Sequence, residues 1–309
     1  VVLAPGGTYH TTRGAISHDA LIDGPDGNVV TSAGGVAYVA FRQLLEEYTV
    51  TMPRGAAVIY PKDAAQIMVQ CDIFPGARVL EIGPGLGAWT EVFLARGHEM
   101  VLVEKDRTLA RRLGEIYRDN PKVTVIEGDF LGQQLAAEPL KSCTAAIGNL
   151  PFYVTADLLL RVIVDAQQIR QALFGIQWEV AERLAERQGS SLAVALASQG
   201  DISIAGKIGR NSFFPVPNVD AAIIRFERKV STPRPHLRLL LKAAFWGKRK
   251  PLRSALSKNP FFGEEPHAAA WPKRLAALPE NFAALLTKRA DDLSATEFCE
   301  LYDYLTADR

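Results

Sequence analysis

The sequence predicts an α/β protein: a doubly wound sheet, a small β-rich module before it and a helical domain after it. Three observations carry this. From Arg78 onward, short apolar runs alternate with amphipathic ones, the pattern of repeated strand–helix units. A glycine-rich turn, Gly83-Pro84-Gly85-Leu86-Gly87, follows the first of those runs. The chain also changes character at both ends. It is β-branched and turn-rich before residue 55, and rich in helix-forming segments after residue 230. The boundaries are therefore set at 1–55, 56–230 and 231–309.

In the first segment, Val29–Ser32, Gly35–Arg42 and Thr49–Met52 read as strands, with turn chemistry at Gly24-Pro25-Asp26-Gly27 and Gly34-Gly35. In the second, strands are expected over Arg78–Ile82, Glu99–Val103, Val123–Ile126, Thr144–Ile147 and Ala172–Ile176. Helices are expected over Ala88–Arg96, Asp106–Tyr117 and Ala156–Val164. This alternation implies a parallel sheet with ligands at the strand C-termini. Ile202–Ile208 and Ala221–Phe226 read as a final strand pair. The third segment offers helices over His236–Trp246, Arg249–Lys258, Glu280–Arg289 and Ala295–Leu305, punctuated by Pro260, Pro266 and Pro272.

Composition narrows the class. The 309 residues contain 35 Lys and Arg against 34 Asp and Glu, a net charge of +1, which argues against a polybasic binder but not against a local patch. A hydrophobic content of 48% supports a packed core. Apolar runs such as Gly35–Phe41 fall far short of the roughly 20 residues a membrane span needs. The apolar start Val1–Ala4 is interrupted by Pro5-Gly6-Gly7, so no secretory signal is read there. Cys71, Cys143 and Cys299 stand far apart, and the five histidines lack ligand spacing. No metal, no membrane and a cytoplasmic location are expected. His10, His18 and Asp19 suit no common metal site.

The glycine turn lets the backbone bend sharply and approach a ligand, and the helix it opens supplies N–H donors. Glu81 stands two residues ahead of Gly83, and Pro84 removes a donor that a pyrophosphate would use. Gly83, Gly85 and Gly87 therefore suit a zwitterionic amino-acid tail better than a dinucleotide, with a purely structural turn as the bland alternative. Glu104 ends the second strand and can accept from both hydroxyls of a ribose; otherwise it is a solvated strand-end acid. Asp129, after the third strand, can accept from an adenine amine or simply cap a helix. Lys105 and Phe130 adjoin these acids and complete the cofactor-binding candidates, with Asn149.

Asn149-Leu150-Pro151-Phe152, at the end of the fourth strand, is the most specific motif. It resembles the Asn/Asp-Pro-Pro-Tyr/Phe class of S-adenosylmethionine-dependent amino-methyltransferases. The chain is similar to the ribosomal RNA adenine N6-dimethyltransferase family, which includes the erythromycin-resistance methylases. The resemblance runs from about Arg78 to Leu256 and more loosely beyond, through EIGPGLGAWT, VLVEKDRTLARRL, EGDF, GNLPFYVT, WEVAERLAERQGS, SFFPVPNVDAAIIRF and AAFWGKRKPLRSAL. It implies a Rossmann-like, seven-stranded class I methyltransferase sheet, S-adenosylmethionine as cofactor, and dimethylation of adenine N6 in ribosomal RNA or a small-subunit precursor. Asn149 Oδ1 and the Leu150 carbonyl would accept the amine's two N–H groups, Pro151 would stiffen the loop, and Phe152 would stack on an unpaired base. Tyr153, Phe213 and Phe214 are candidate pocket walls or core residues.

The sequence departs from the family in places. The usual Gln-Asn-Phe-Leu segment is replaced around Tyr60–Gln66, and Trp178 stands where Lys is usual. Residues 7–77 instead resemble the start of tRNA adenine N1-methyltransferases, in YHTTRGAISHDALI and MPRGAAVIYPKDAAQI. The chain thus reads as a composite.

Between Arg225 and Lys258 lie eleven basic residues and one acid, Glu227, a net of +10 with Phe245 and Trp246 interleaved. Arg238, Lys242, Lys248, Arg249, Lys250 and Arg253 are the RNA-binding candidates. Competing readings are a tRNA adenine N1-methyltransferase and a non-catalytic RNA-binding ribosome-assembly factor. A dehydrogenase is disfavoured by the Asn149 motif.

Overall fold

A computed structural model describes residues 3–41, 58–59, 73, 76–186, 189–214, 216–229, 234–247, 249–264 and 266–307. The expected strand Thr49–Met52, the Tyr60–Gln66 segment, Cys71 and Lys248 lie outside the described residues. Backbone contacts divide the chain into two units, Val1–Pro53 and Arg54–Arg309.

The first unit consists of two antiparallel hairpins. Strands β1 (Thr8–Thr11) and β2 (Gly14–Ser17) form one, and β3 (Asn28–Thr31) and β4 (Ala37–Ala40) the other. Their turns are joined where Ser32 Oγ donates to the Arg13 carbonyl at 2.8 Å and the Ala33 N–H donates to the Ala15 carbonyl at 2.8 Å. His18 Nδ1 accepts from the Ala4 N–H at 3.1 Å and Asp19 Oδ1 from the Gly6 N–H at 2.9 Å, so both side chains tie down the entering chain.

The second unit is built on a seven-stranded sheet. In chain order it runs through β5 (Val58–Ile59), β6 (Arg78–Ile82), α1 (Ala88–Ala95), β7 (Glu99–Glu104), α2 (Arg107–Ile116), β8 (Val123–Glu127), β9 (Ala145–Asn149) and α3 (Thr155–Leu159). It continues through β10 (Gln171–Gln177), α4 (Trp178–Ala185), α5 (Ser191–Ala197), β11 (Gly200–Ile208), β12 (Phe213–Phe214) and β13 (Ala221–Arg228). The sheet order is β11-β13-β10-β9-β6-β7-β8, and β12 pairs separately with β5.

The parallel arrangement expected from the sequence holds for the five strands from β10 to β8. The final strand pair adds the antiparallel part: β13 runs antiparallel to both β10 and β11 and makes the sheet mixed. A short return through β12 places β13 between strands already laid down, a connection that needs no crossover helix. The central strands are apolar on both faces. Leu80, Ile82, Val101 and Val103 enter one core cluster, while Val79, Met100 and Leu102 enter the other. Such a two-sided core is what an unbroken apolar run produces in a sheet covered by helices.

Asp106 caps α2, accepting from the Thr108 and Leu109 N–H groups. Helix α3 widens into a π-helical turn at Leu160–Asp165. Arg228, at the end of β13, reaches across to hold that turn. Its guanidinium donates to the carbonyls of Ile169 at 2.7 Å and Ile163 at 2.6 Å, and to the Gln199 side chain at 3.2 Å.

The tail comprises α6 (Leu237–Trp246), α7 (Leu252–Ser257), α8 (Trp271–Ala276), α9 (Glu280–Thr287) and α10 (Ala295–Thr306). These helices enclose a separate core around Trp271 and Phe298, which also takes in Val194 and Ala195 of α5. A capping box starts α10: Ser294 Oγ accepts from the Glu297 N–H, and the Glu297 carboxylate accepts from the Ser294 N–H.

Candidate active site

The sheet order reverses between β9 and β6, and the parallel strands beside that break carry the candidate residues at their C-terminal ends. Glu81 lies within β6 and is 3% exposed. Thr90 Oγ1 of α1 donates to its Oε2 at 2.6 Å. Burial pushes the Glu81 carboxyl up to about 8, opposed by the Thr90 hydrogen bond and reinforced by the charge of Glu104.

The glycine loop follows. Gly83 and Gly85 have φ of 65° and 60°, a left-handed conformation that favours glycine, and a Cβ on either would point into open space. Glu104 fixes this loop to the end of β7. Its Oε2 accepts from the Gly85 N–H at 3.0 Å and its Oε1 from the Asp106 N–H at 2.9 Å. At the next strand end Lys105 bridges Asp129 at 2.8 Å. That hydrogen bond holds the Asp129 carboxyl below the usual carboxylate range, and Asp129 Oδ1 also accepts from the Leu131 N–H at 3.0 Å. Phe130 turns its ring into the core, so a ligand contact at this position would come from its main chain.

Asn149 ends β9, between β6 and β10. A glycine on the neighbouring strand makes room for it, and a second lets β9 approach β6. Gly175 is its neighbour on β10, and a Cβ there would fall 2.6 Å from Asn149 Oδ1. A Cβ on Gly148 would fall 2.6 Å from the Ile82 carbonyl. The Leu150 N–H donates to the Gly175 carbonyl at 2.9 Å while its side chain is buried. The Pro151 carbonyl accepts from the Val154 N–H at 3.1 Å and Thr155 Oγ1 at 2.9 Å, which closes the turn into α3. Between them Phe152 and Tyr153 project outward, 39% and 86% exposed. Phe213 is buried in the core, so of its two weighed roles it takes the packing one.

Glu81, the glycine loop, Glu104, Asp129 and Asn149 are thus gathered along one edge of four adjacent strands, β9-β6-β7-β8. Thr90 and Gly175 were not among the residues the sequence singled out. Gly175 had a readable signal: a lone glycine inside the apolar run of β10, which marks close approach of a neighbour. Thr90 had none, because only the packing of α1 on β6 sets its hydroxyl against Glu81.

The basic segment divides in two. Lys229 pairs with Asp201 at 2.7 Å, Arg234 with Asp303 at 2.6 Å and Arg238 with Asp165 at 3.2 Å, while Arg225 pairs with Glu227 and Arg228 serves the carbonyls described above. Arg238 therefore shares its charge with an acid outside the segment. Lys242, Arg249, Lys250 and Arg253 are exposed on α6, on α7 and between them, and no carboxylate among the described residues pairs with them. Among the described residues, no group of three His, Cys, Asp or Glu is placed to hold a metal, and no helix is long and apolar enough to cross a membrane.

A model of the ribosomal RNA adenine dimethylase family matches residues 59–273. The chain belongs to that family. Among its relatives in the ribosomal RNA adenine dimethylase family is the ribosomal RNA small subunit methyltransferase A of Rhodococcus erythropolis, 33% identical over 241 residues, covering 71% of this chain and 79% of that protein. The protein of the same name from Ligilactobacillus salivarius is 30% identical over 282 residues, covering 85% and 93%. A dimethyladenosine transferase from Plasmodium falciparum superposes with a TM-score of 0.63 at 22% identity, covering 79% of this chain and 95% of that one. The 23S rRNA methyltransferase ErmE superposes at 0.55 with 24% identity, covering 80% and 98%. These two likenesses establish the class I methyltransferase fold. Residues 1–30 match a second model, the TrmI-like N-terminal segment, so the dimethylase domain is preceded by a module of different kinship. The chain is a composite, with the TrmI-like kinship shown over residues 1–30 and the dimethylase match already begun at residue 59.

Proposed function

We infer that the protein is an S-adenosylmethionine-dependent methyltransferase that dimethylates the N6 amine of adenine in ribosomal RNA. The placement of Asn149-Leu150-Pro151-Phe152 beside an open glycine loop and two strand-end carboxylates carries this reading. Membership of the dimethylase family supports it. The cytoplasm, where ribosomal RNA would be met, is the proposed location.

The residues present fit S-adenosylmethionine. The open side of Gly83 and Gly85 accommodates a close-lying amino-acid tail, and Glu81 sets a buried carboxyl group two residues ahead of it. Glu104 suits the ribose hydroxyls, and the end of β8 around Asp129 suits the adenine edge. Bound there, S-adenosylmethionine supplies an electrophilic methyl group.

The chain's own part is to present the nucleophile. An exocyclic amine is a poor one, because its lone pair is delocalised into the ring. Asn149 Oδ1 and the Leu150 carbonyl accept its N–H bonds and favour a pyramidal nitrogen. Pro151 and the turn it closes hold these acceptors still, and the exposed face of Phe152 stacks on the flipped base. Positioning does the catalytic work, so no side chain need act as a strong base.

Asn149→Ala tests the assignment. It should lower methyl transfer at least 100-fold, an effect of about 3 kcal/mol or more on the barrier. Calorimetric titration should show S-adenosylmethionine affinity changed only a few-fold. Full activity in the variant would refute the role of Asn149.

The TrmI-like match of residues 1–30 favours one alternative, methylation of adenine N1 in tRNA. It ranks second because chemistry resides in the site, and the Asn149 motif suits an exocyclic amine.

A further inference from the structure

The tail carries an aromatic cluster that the methyl-transfer site does not use. On α6, neighbouring aromatics point opposite ways. Phe245 stacks inward on Phe298 with centroids 5.9 Å apart, while Trp246 is 53% exposed. The turn after α7 repeats this division. Phe262 packs edge-on against buried Trp271 at 5.0 Å, while Phe261 meets Trp246 edge-on at 6.4 Å. Asn259 sets the turn rigidly, since its Oδ1 accepts from the N–H groups of Phe261 at 2.9 Å and Phe262 at 3.1 Å.

Cations surround the outward pair. Lys242 Nζ lies 4.1 Å from the Phe261 centroid and Lys250 Nζ 5.7 Å from that of Trp246. Lys242 and Trp246 are four residues apart and share one face of α6. Gly247 brings α7 close, with a Cβ there only 3.0 Å from Ala255 Cβ. Arg249 and Arg253 are exposed in the same stretch. An exposed aromatic ring among basic side chains combines the stacking platform and the positive field that single-stranded nucleic acid uses. The lysine and arginine surround selects an anionic partner, and the flat ring selects a π-face. An unpaired nucleotide offers both at once; a duplex hides its bases.

We propose that Trp246, braced by Phe261 and flanked by Lys242 and Lys250, is a second RNA subsite that stacks one unpaired base of the substrate, apart from the base being methylated. This rests on the RNA reading above. It further implies that the protein recognises structured RNA in which a bulge or loop accompanies the target adenine.

The test is fluorescence anisotropy with a labelled single-stranded oligouridylate, which contains no target adenine, and with an RNA duplex of equal length. Trp246→Ala should weaken single-strand binding roughly fivefold or more and duplex binding little, as stacking losses of about 1–3 kcal/mol predict. Trp246→Phe should restore most of the affinity. The salt slope should be unchanged in Trp246→Ala but fall by about one in Lys250→Ala, which removes one cation that would neutralise a phosphate. Unaltered single-strand affinity in Trp246→Ala, or equal losses on both RNAs, would overturn the subsite and leave the enzyme reading intact. Failure of the wild type to bind either RNA would defeat the RNA reading itself.

Discussion

Glu81 is an acid that keeps its proton at neutral pH. Burial lifts it from 4.5 to about 8, so between those values the folded chain binds a proton that the unfolded chain has released. Its contribution to stability is therefore fully present below 4.5 and is lost as pH rises towards about 8. Thermal melts of the ligand-free protein should show Tm declining across that window, and Glu81→Gln should flatten the decline. An equal slope in the variant would mean that other groups dominate. Glu81 was legible as a candidate from its place two residues ahead of the glycines. Its protonation was not, because that depends on the depth of β6 in the sheet and on Thr90 and Glu104 beside it.

Among the elements, β6 through β10 were readable because each is a short apolar run with turn chemistry at its ends. The hairpin strands β1 and β2 were missed, since β1 (Thr8–Thr11) is largely exposed and carries no apolar run. Helix α5 was missed for the opposite reason. Ser191–Ala197 is apolar nearly all round, because it is wedged between the sheet and the tail, and so has no amphipathic period to detect. Pro272 was taken as a breaker but lies in the first turn of α8, where its missing N–H costs nothing. The π-helical turn after α3 also had no sequence signal. Arg228 holds it, so Arg228→Ala should strip partners from the Ile163 and Ile169 carbonyls. Each orphaned buried group costs about 1–3 kcal/mol, and the variant should melt several degrees lower. An unchanged melting temperature would show that water replaces the guanidinium.

For the whole molecule, the net charge of +1 conceals its distribution. The segment 225–258 sums to +10 along the chain, yet folding brings Asp165, Asp201 and Asp303 against Arg238, Lys229 and Arg234. What remains for a partner is the group on α6, on α7 and between them. A sum along the sequence cannot contain such cross-chain pairing, so the +10 overstates the charge that folding leaves unpaired in this segment. The motif order from Glu81 to Asn149 was legible because each of these strands carries its own candidate residue at or near its C-terminal end. Which strands lie side by side, and hence which residues meet, is a property of topology alone. The function proposed for this molecule turns on the chemistry at Asn149. It is tested most directly by incubating the protein with S-adenosylmethionine and unmodified total RNA, then digesting the RNA and weighing its nucleosides by mass spectrometry. N6,N6-dimethyladenosine from the ribosomal RNA fraction is the predicted product; 1-methyladenosine from tRNA, or no methylated adenosine at all, would contradict it.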